Sequence, residues 1–463
     1  MRRSKLVRVA AIMGVIAAMA WATTAGAGAS SRYERAVPTP NSHNTVPFKS
    51  ALRNGVDAPA AGVSKNVNIT KKTGAQSETS VAVDPTDPNH IVAASNDLSN
   101  FSAFTGVYES FDRGRTWQNA GLRVSAFCYD PWLDFNTAGD IFFSYECSDQ
   151  RIAYREHGST TWVQSGPLPA GSFPDRDMVV TDDNPGSPFF GHVYIGYDDN
   201  GNLNRAHIMI SPDGKGGWVE SPGIDDSVST SDVIGNNVAI GPDGTVYATW
   251  EDYAHGFIKN DVSHDGGTTW TTDRVVTDLR LNTSGFFIFI PPQPDRGVLP
   301  MPFTDTAPAG TQFAGRLYTV YIDSDADGSP NTNIYFRWSD DGGATWSPEK
   351  KINDDTTDAW HFFPSISVAP NGTIGVSFYD TRRDPTGKKT DQFFSTSTDG
   401  GNTWSANVRL TSAQSDESGA GDANDYGDYE GGDASVAGWY ALVWTDSRPG
   451  TTAEDMVTAN FKP

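Results

Sequence analysis

An eight-residue pattern, S-x-D-x-G-x-T-W, recurs four times along this chain. Its first copy is Ser110-Phe-Asp112-Arg-Gly114-Arg-Thr116-Trp117, and the others occupy 263–270, 339–346 and 397–404. Two decayed copies keep the register, Ser211-Pro-Asp213 running to Trp218 and Arg155-Glu-His157 running to Thr161-Trp162. Self-similarity at intervals of some tens of residues indicates one supersecondary unit packed against copies of itself. Each position has a local reason. The Asp carboxylate accepts bonds from amides of its own turn, and Gly takes positive φ. The Trp buries a large ring against the neighbouring unit.

Between copies the chain repeats one theme: an apolar strand, a glycine turn, then an aromatic-rich strand ending in an acidic residue. Residues 238–252 and 365–380 show it in full. Alternation of period two with turn glycines indicates strands, and no segment sustains a helical period. Four-stranded units at this spacing describe a β-propeller. First strands fall near 78, 130, 177, 237, 297, 364 and 431. The last unit, 434–461, has three strands and no motif, while the stretch 67–70 resembles the strands that follow the motif. That stretch can supply the missing outer strand and close the ring. The expectation is an all-β, single-domain propeller over 65–463, of seven blades, with six as the alternative count.

The repeated turn resembles the Asp-box (BNR repeat) of the sialidase superfamily, over residues 65–463. The resemblance implies a propeller fold, six-bladed in sialidases themselves, and it implies that the box is a folding device. It also implies an arginine triad, a tyrosine nucleophile paired with a glutamate, and an aspartate acid/base. Tyr429-Glu430 is the Tyr/Glu pair at a strand start, and Asp130 or Glu78 fits the acid. The family's Arg-Ile-Pro sequence is absent, and no triad can be matched residue by residue.

Arg2, Arg3, Lys5 and Arg8 precede an apolar run from Val9 to Ala22, and Ala25-Gly-Ala27 offers a cleavage site. Residues 1–29 therefore read as a secretory signal peptide, and 30–64 as a flexible leader. Cys128 and Cys147, the only cysteines, flank a strand–turn–strand stretch in mirror positions. In an oxidising compartment they are expected to form a disulfide, the alternative being two buried thiols. Net charge is −23, and loss of 1–29 removes four positive charges and no negative one, leaving −27. Such a surface argues against nucleic acid and anionic lipid as partners and suits a soluble, secreted, extracellular monomer.

In a propeller, first-strand starts and second-strand ends share one face, and the motif turns lie on the other. The starts carry Glu78, Asp130, Arg176, Arg296, His361, Tyr429 and Glu430; the ends carry Glu146, Arg382 and Arg448 among others. One reading is a polar ring that solvates an axial channel. The other is a glycan pocket in which Arg176, Arg296, Arg382 and Arg448 clamp a sugar carboxylate and paired carboxylates do acid/base work. Asp323-Ser-Asp325-Ala-Asp327-Gly328 matches the first half of a calcium loop, although Ile334 stands where its last Glu would be. Ca2+ on Asp323, Asp325 and Asp327 is expected, against a merely solvated loop. The insertion 279–316 either walls the pocket or packs on a blade. Function is expected to be hydrolysis of an acidic sugar in extracellular glycans, the rivals being a non-catalytic carbohydrate- or protein-binding propeller and a propeller-type polysaccharide lyase.

Overall fold

A computed structural model describes residues 60–463 apart from 99–104, 125–126, 172, 202–203, 227–231, 284–285, 419–423 and 449–453. The signal peptide and most of the leader expected above lie outside the described residues. Seven four-stranded antiparallel sheets stand in a ring, so the protein is a seven-bladed β-propeller. Blades 1 to 6 span 76–119, 129–165, 174–220, 233–278, 303–351 and 361–409, each in simple strand order from inside to outside. Blade 7 takes three strands from 431–461, and Val67–Asn68 adds the fourth against Asp455–Phe461. Val67 faces Thr458 and Asn68 faces Val457. The closure begins slightly earlier than the sequence suggests, because Ser64 N already donates to Asn460 O at 2.8 Å.

One first strand is misplaced by sequence. Blade 5 begins at Phe303–Thr306, and Gln293–Val298 instead pairs with Ile288–Ile290 in a separate hairpin. The insertion is thus a two-stranded addition between blades 4 and 5.

The innermost strands leave backbone N–H groups facing the next blade, and such groups need partners when buried. A side chain one blade back supplies them at six junctions. Asp134 accepts from Thr181 N at 2.7 Å, Asp305 from Val368 N at 2.7 Å and Asp433 from Val83 N at 2.8 Å. Ser80, Asn237 and Ser367 do the same for Leu133, Thr304 and Ala434.

The repeated turn is built as its residues dictate. In blade 5, Ser339 Oγ donates to Asp341 Oδ1 at 2.8 Å and accepts from Gly343 N, while Asp341 accepts from the amide and hydroxyl of Thr345. Gly401, at φ +88°, docks on blade 5 so closely that a Cβ would stand 2.2 Å from Phe336 Cε1. Trp404 then meets Phe336 edge to face at 5.0 Å. The motif tryptophans, including Trp346, are half-buried, because each ring covers only the rim of the neighbouring blade. Phe111 stacks on His90, in the turn between the first two strands of blade 1, so the motif shares that face and not the face of the first-strand starts.

Candidate functional site

Five blades open their first strand with the same irregularity. Pairing slips between Ser77 and Ser80, Tyr129 and Trp132, Asp175 and Met178, Ile234 and Asn237, and Phe362 and Ser365. Each slip holds one left-handed residue: Glu78, Asp130 and Arg176 at φ 54°, 54° and 55°, Gly235 at 73° and Phe363 at 46°. Such a conformation costs a non-glycine residue ~1 kcal/mol or more. A bulge also re-aims the side chain it carries. Blades 1 to 3 use it to turn two carboxylates and a guanidinium toward one axial mouth.

At that mouth, Asn96 Nδ2 donates to Glu78 Oε2 and, at 3.2 Å, to Asp130 Oδ1, and Asn96 Oδ1 accepts from Asp130 N at 3.0 Å. Glu146 ends the second strand of blade 2 and Asp175 starts blade 3. One oxygen each from Asp130, Glu146 and Asp175 lie within 4.8 Å of one another. Arg296 closes the opposite side, with Nε 2.9 Å from Asp428 Oδ1, and Nη2 against Asp428 Oδ2 and 3.2 Å from Glu78 Oε1. The inserted hairpin delivers it. Asp425 Oδ2 accepts from the amides of Asp295 and Arg296, both at 2.9 Å, and Gln293 Nε2 donates to Gly427 O at 3.0 Å.

Crowded negative charge shapes the chemistry. Burial, then the charge of Asp130, holds Glu78 well above the usual carboxylate range, and the same two causes hold Glu146 there. Burial and Asp130 push Asp175 up to about 6. Asp130 is itself raised by burial and by Asp428.

Beneath the mouth, Arg176 is only 3 % exposed and lies between the rings of Phe303 and Tyr429, at 5.1 and 4.9 Å. Gly235 makes room for it, since a Cβ there would stand 2.7 Å from Nη1. None of its three nitrogens has a hydrogen-bond partner, and neither has either oxygen of the buried Glu251 nearby. Burial, then the charge of Asp175, pushes Asp198, also beside Arg176, up to about 8. Trp132 and Phe303 meet at this level, their ring centroids 6.1 Å apart. Beyond them a cavity of about 450 Å³, lined by the first strands of all seven blades, opens on the motif side.

The structure does not bring the four arginines together. Arg176 and Arg296 face the mouth from below and above. Arg382 instead pairs with Asp380 and Asp354 and donates to Asn407, and Arg448 pairs with Asp446 and donates to Asn66 and Ser412. Both reach outward to the outer strand of the preceding or same blade, because the second strand ends beyond the inner rim. Tyr429 and Glu430 are not a working pair. In the segment just before the strand Gly431–Ala434 their side chains diverge: Tyr429 turns to Trp132 and Arg176, while Glu430 accepts from Thr79 Oγ1 at 2.5 Å and from Tyr379 Oη. His361 is fully buried between blades 5 and 6, its Nε2 3.0 Å from Asp355 and 3.2 Å from Asp380, its Nδ1 donating to Thr332 O.

The three carboxylates of the 323–328 loop are committed separately. Asp323 pairs with Arg280 at 3.0 Å, Asp325 accepts from Tyr335 Oη at 2.6 Å and pairs with Lys351, and Asp327 accepts from Ser329 N. Cys128 and Cys147 form a disulfide, with Cα atoms 4.0 Å apart. Sequence reasoning passed over Asn96 altogether. Its one signal was a position just before the acidic end of a second strand, where alternation aims it at the opposite face from Asp97.

No protein-family model matches the sequence, and no curated protein matches it. Among solved structures the chain is similar to a protein of unknown function from Dyadobacter fermentans, at 13% identity over 87% of this chain and 100% of that one, with a TM-score of 0.47. It is similar to an α-L-arabinanase of Penicillium chrysogenum complexed with arabinobiose, at 12% identity over 86% and 98% of the two chains and a TM-score of 0.47. It is also similar to a leech intramolecular trans-sialidase, at 10% identity over 67% and 65% and a TM-score of 0.43. Likeness at this level says nothing about chemistry.

Proposed function

We propose that this protein is a secreted, carbohydrate-active propeller that hydrolyses neutral or amino-sugar glycans at the axial mouth. Glu78 is the proton donor and Asp428 its anionic partner. The observation that carries this reading is the shared contact of Arg296 Nη2 with both carboxylates. Burial, then the charge of Asp130, raises Glu78 and favours its holding a proton, while Arg296 grips Asp428 through two nitrogens and touches Glu78 with one, so the two carboxyls face the same space in unlike surroundings. Acidic sugars fit less well. With Arg382 and Arg448 paired elsewhere, the four-arginine clamp for a sugar carboxylate is not assembled at the mouth. The expected leader and the Cys128–Cys147 disulfide support secretion.

The test is a screen of the purified protein on arabinans, neutral and amino-sugar oligosaccharides, sialosides and uronate polysaccharides. Turnover of a neutral or amino-sugar substrate should fall at least a hundredfold in kcat with Glu78→Gln at little change in KM. Turnover confined to sialosides, or unsaturated products from uronates, would reverse the reading. A non-catalytic role is favoured by the hairpin that lies across the mouth, and binding without turnover in the same screen would establish it.

A further inference from the structure

We propose that Asp130, Glu146 and Asp175 hold a divalent cation, and that the ion is calcium. The three contribute one oxygen each within 4.8 Å of one another. Oxygens that each lie ~2.3–2.6 Å from a shared Ca2+ are separated by no more than about 5 Å, so the spacing fits one ion. An all-oxygen, all-carboxylate set selects a hard cation over zinc or copper.

The frame is fixed before any ion arrives. Asp130 and Glu146 belong to one blade, two residues after Cys128 and one before Cys147, so the disulfide clamps the strand ends that carry them. Asp175 is held by Asn200 Nδ2, which donates to Oδ2 at 2.6 Å, and Asp130 by Asn96. Among the described residues no lysine or arginine pairs with any of the three. Arg296 is committed to Asp428 and Glu78.

A second observation points to a missing positive charge. Asp177, two residues past Asp175, is 1 % exposed, and neither carboxylate oxygen has a hydrogen-bond partner; Ser144 and Gln150 approach without closing a bond. It lies close enough to Glu146 and Asp130 for the charges to interact. Glu146 Oε2 is likewise shielded and unpartnered. A buried carboxylate without hydrogen bonds is costly unless a cation offsets it.

The experiment is calorimetric titration of the full chain, stripped with EDTA, with calcium chloride, alongside its melting temperature in EDTA and in calcium. The expected result is one ion per chain and a higher Tm in calcium. Glu146→Gln and Asp175→Asn should each weaken binding at least tenfold, and Asp325→Ala should leave it unchanged. In EDTA, Glu146→Gln should melt no lower than the parent, because Gln replaces a carboxyl whose ionisation burial and Asp130 oppose, which separates a lost site from a lost fold. Should Glu146→Gln fail to fold, Asp175→Asn decides alone. Absence of heat and of any Tm response in the parent would overturn the proposal, as would binding that survives both substitutions. Loss with Asp325→Ala instead would assign the ion to the 323–328 loop. The titration contains no glycan, so its failure leaves the hydrolytic reading standing, and failure of the glycan screen leaves this one.

Discussion

Arg296 and Glu78 lie 218 positions apart in the chain, and Nη2 of one stands 3.2 Å from Oε1 of the other. The contact exists because a hairpin inserted between blades 4 and 5 reaches across to the start of blade 1, where a bulge turns Glu78 inward. Arg296 is the cation for both Glu78 and Asp428. Arg296→Met should therefore cost about 2–4 kcal/mol of unfolding free energy, since it strands partly buried carboxylates. Denaturant unfolding at neutral pH measures it. A loss below about 0.5 kcal/mol would mean that the mouth carboxylates do not need their arginine.

Arg382 and Arg448 occupy equivalent positions in blades 6 and 7, each gripping the Asp two residues earlier and an asparagine beside an outer strand. Alanine at either should lower stability by about 1–3 kcal/mol. Ligand affinity at the mouth should not change. A variant of full stability that lost glycan binding would place that arginine in the site after all.

Stability should fall steadily as pH rises from about 5 to about 10. Burial above all pushes Asp198 up to about 8, and Asp183 and Asp305 up to about 7. A carboxyl raised in the fold contributes fully below its unfolded range near 4, and that contribution is lost as pH climbs to the folded value. His361 acts in the same direction. Against its burial, Asp380 and Asp355 push it up to about 10, so its contribution is complete below about 6.5 and gone above about 10. On the acid side, His90, Gln118 and Arg155 overcome burial and hold Glu109 at about 2, so that contribution disappears as pH falls from about 4.5 toward 2. A Tm profile should peak near pH 5; a flat profile between 5 and 8 would contradict the buried carboxyls.

The motif turns should carry stability and nothing else. Trp346 is half-buried over blades 4 and 5, so Trp346→Ala should cost about 2–3 kcal/mol, less than a fully buried large aromatic. Calcium and glycan binding should be unaffected, because the motif stands on the far face.

The disulfide joins positions 19 residues apart. Replacing both cysteines with serine should cost about 3 kcal/mol. Non-reducing peptide mapping should recover the linked pair, and two alkylatable thiols in the native protein would rule it out.

Much of this protein was legible because its signals are local or repeat at fixed offsets. The Ser–Asp–Gly–Thr–Trp turn specifies its own hydrogen bonds within eight residues, and the blade count follows from counting strands between copies. The outer strand at 67–68 was readable for the same reason, since it resembles its counterparts. Cys128 and Cys147 were readable as mirror positions about one turn. Blade 5 was misread because the strand at 293–298 has an inner strand's composition and is paired elsewhere.

What the sequence by itself determined is therefore the architecture: strands, blades, closure and the disulfide, all set by alternation, turn chemistry and spacing. Only the tertiary structure decided the site. Tyr429 and Glu430, just ahead of the strand Gly431–Ala434, turn to different partners, and a one-residue bulge at Glu78, Asp130 and Arg176 resets which side each presents. Nor can repeat position tell an arginine carried over the axis by an insertion, Arg296, from one turned outward to a neighbouring strand, Arg382. The physical reason is that a ring fixes where equivalent backbones stand, while side-chain direction and the partner across the gap depend on residues hundreds of positions away.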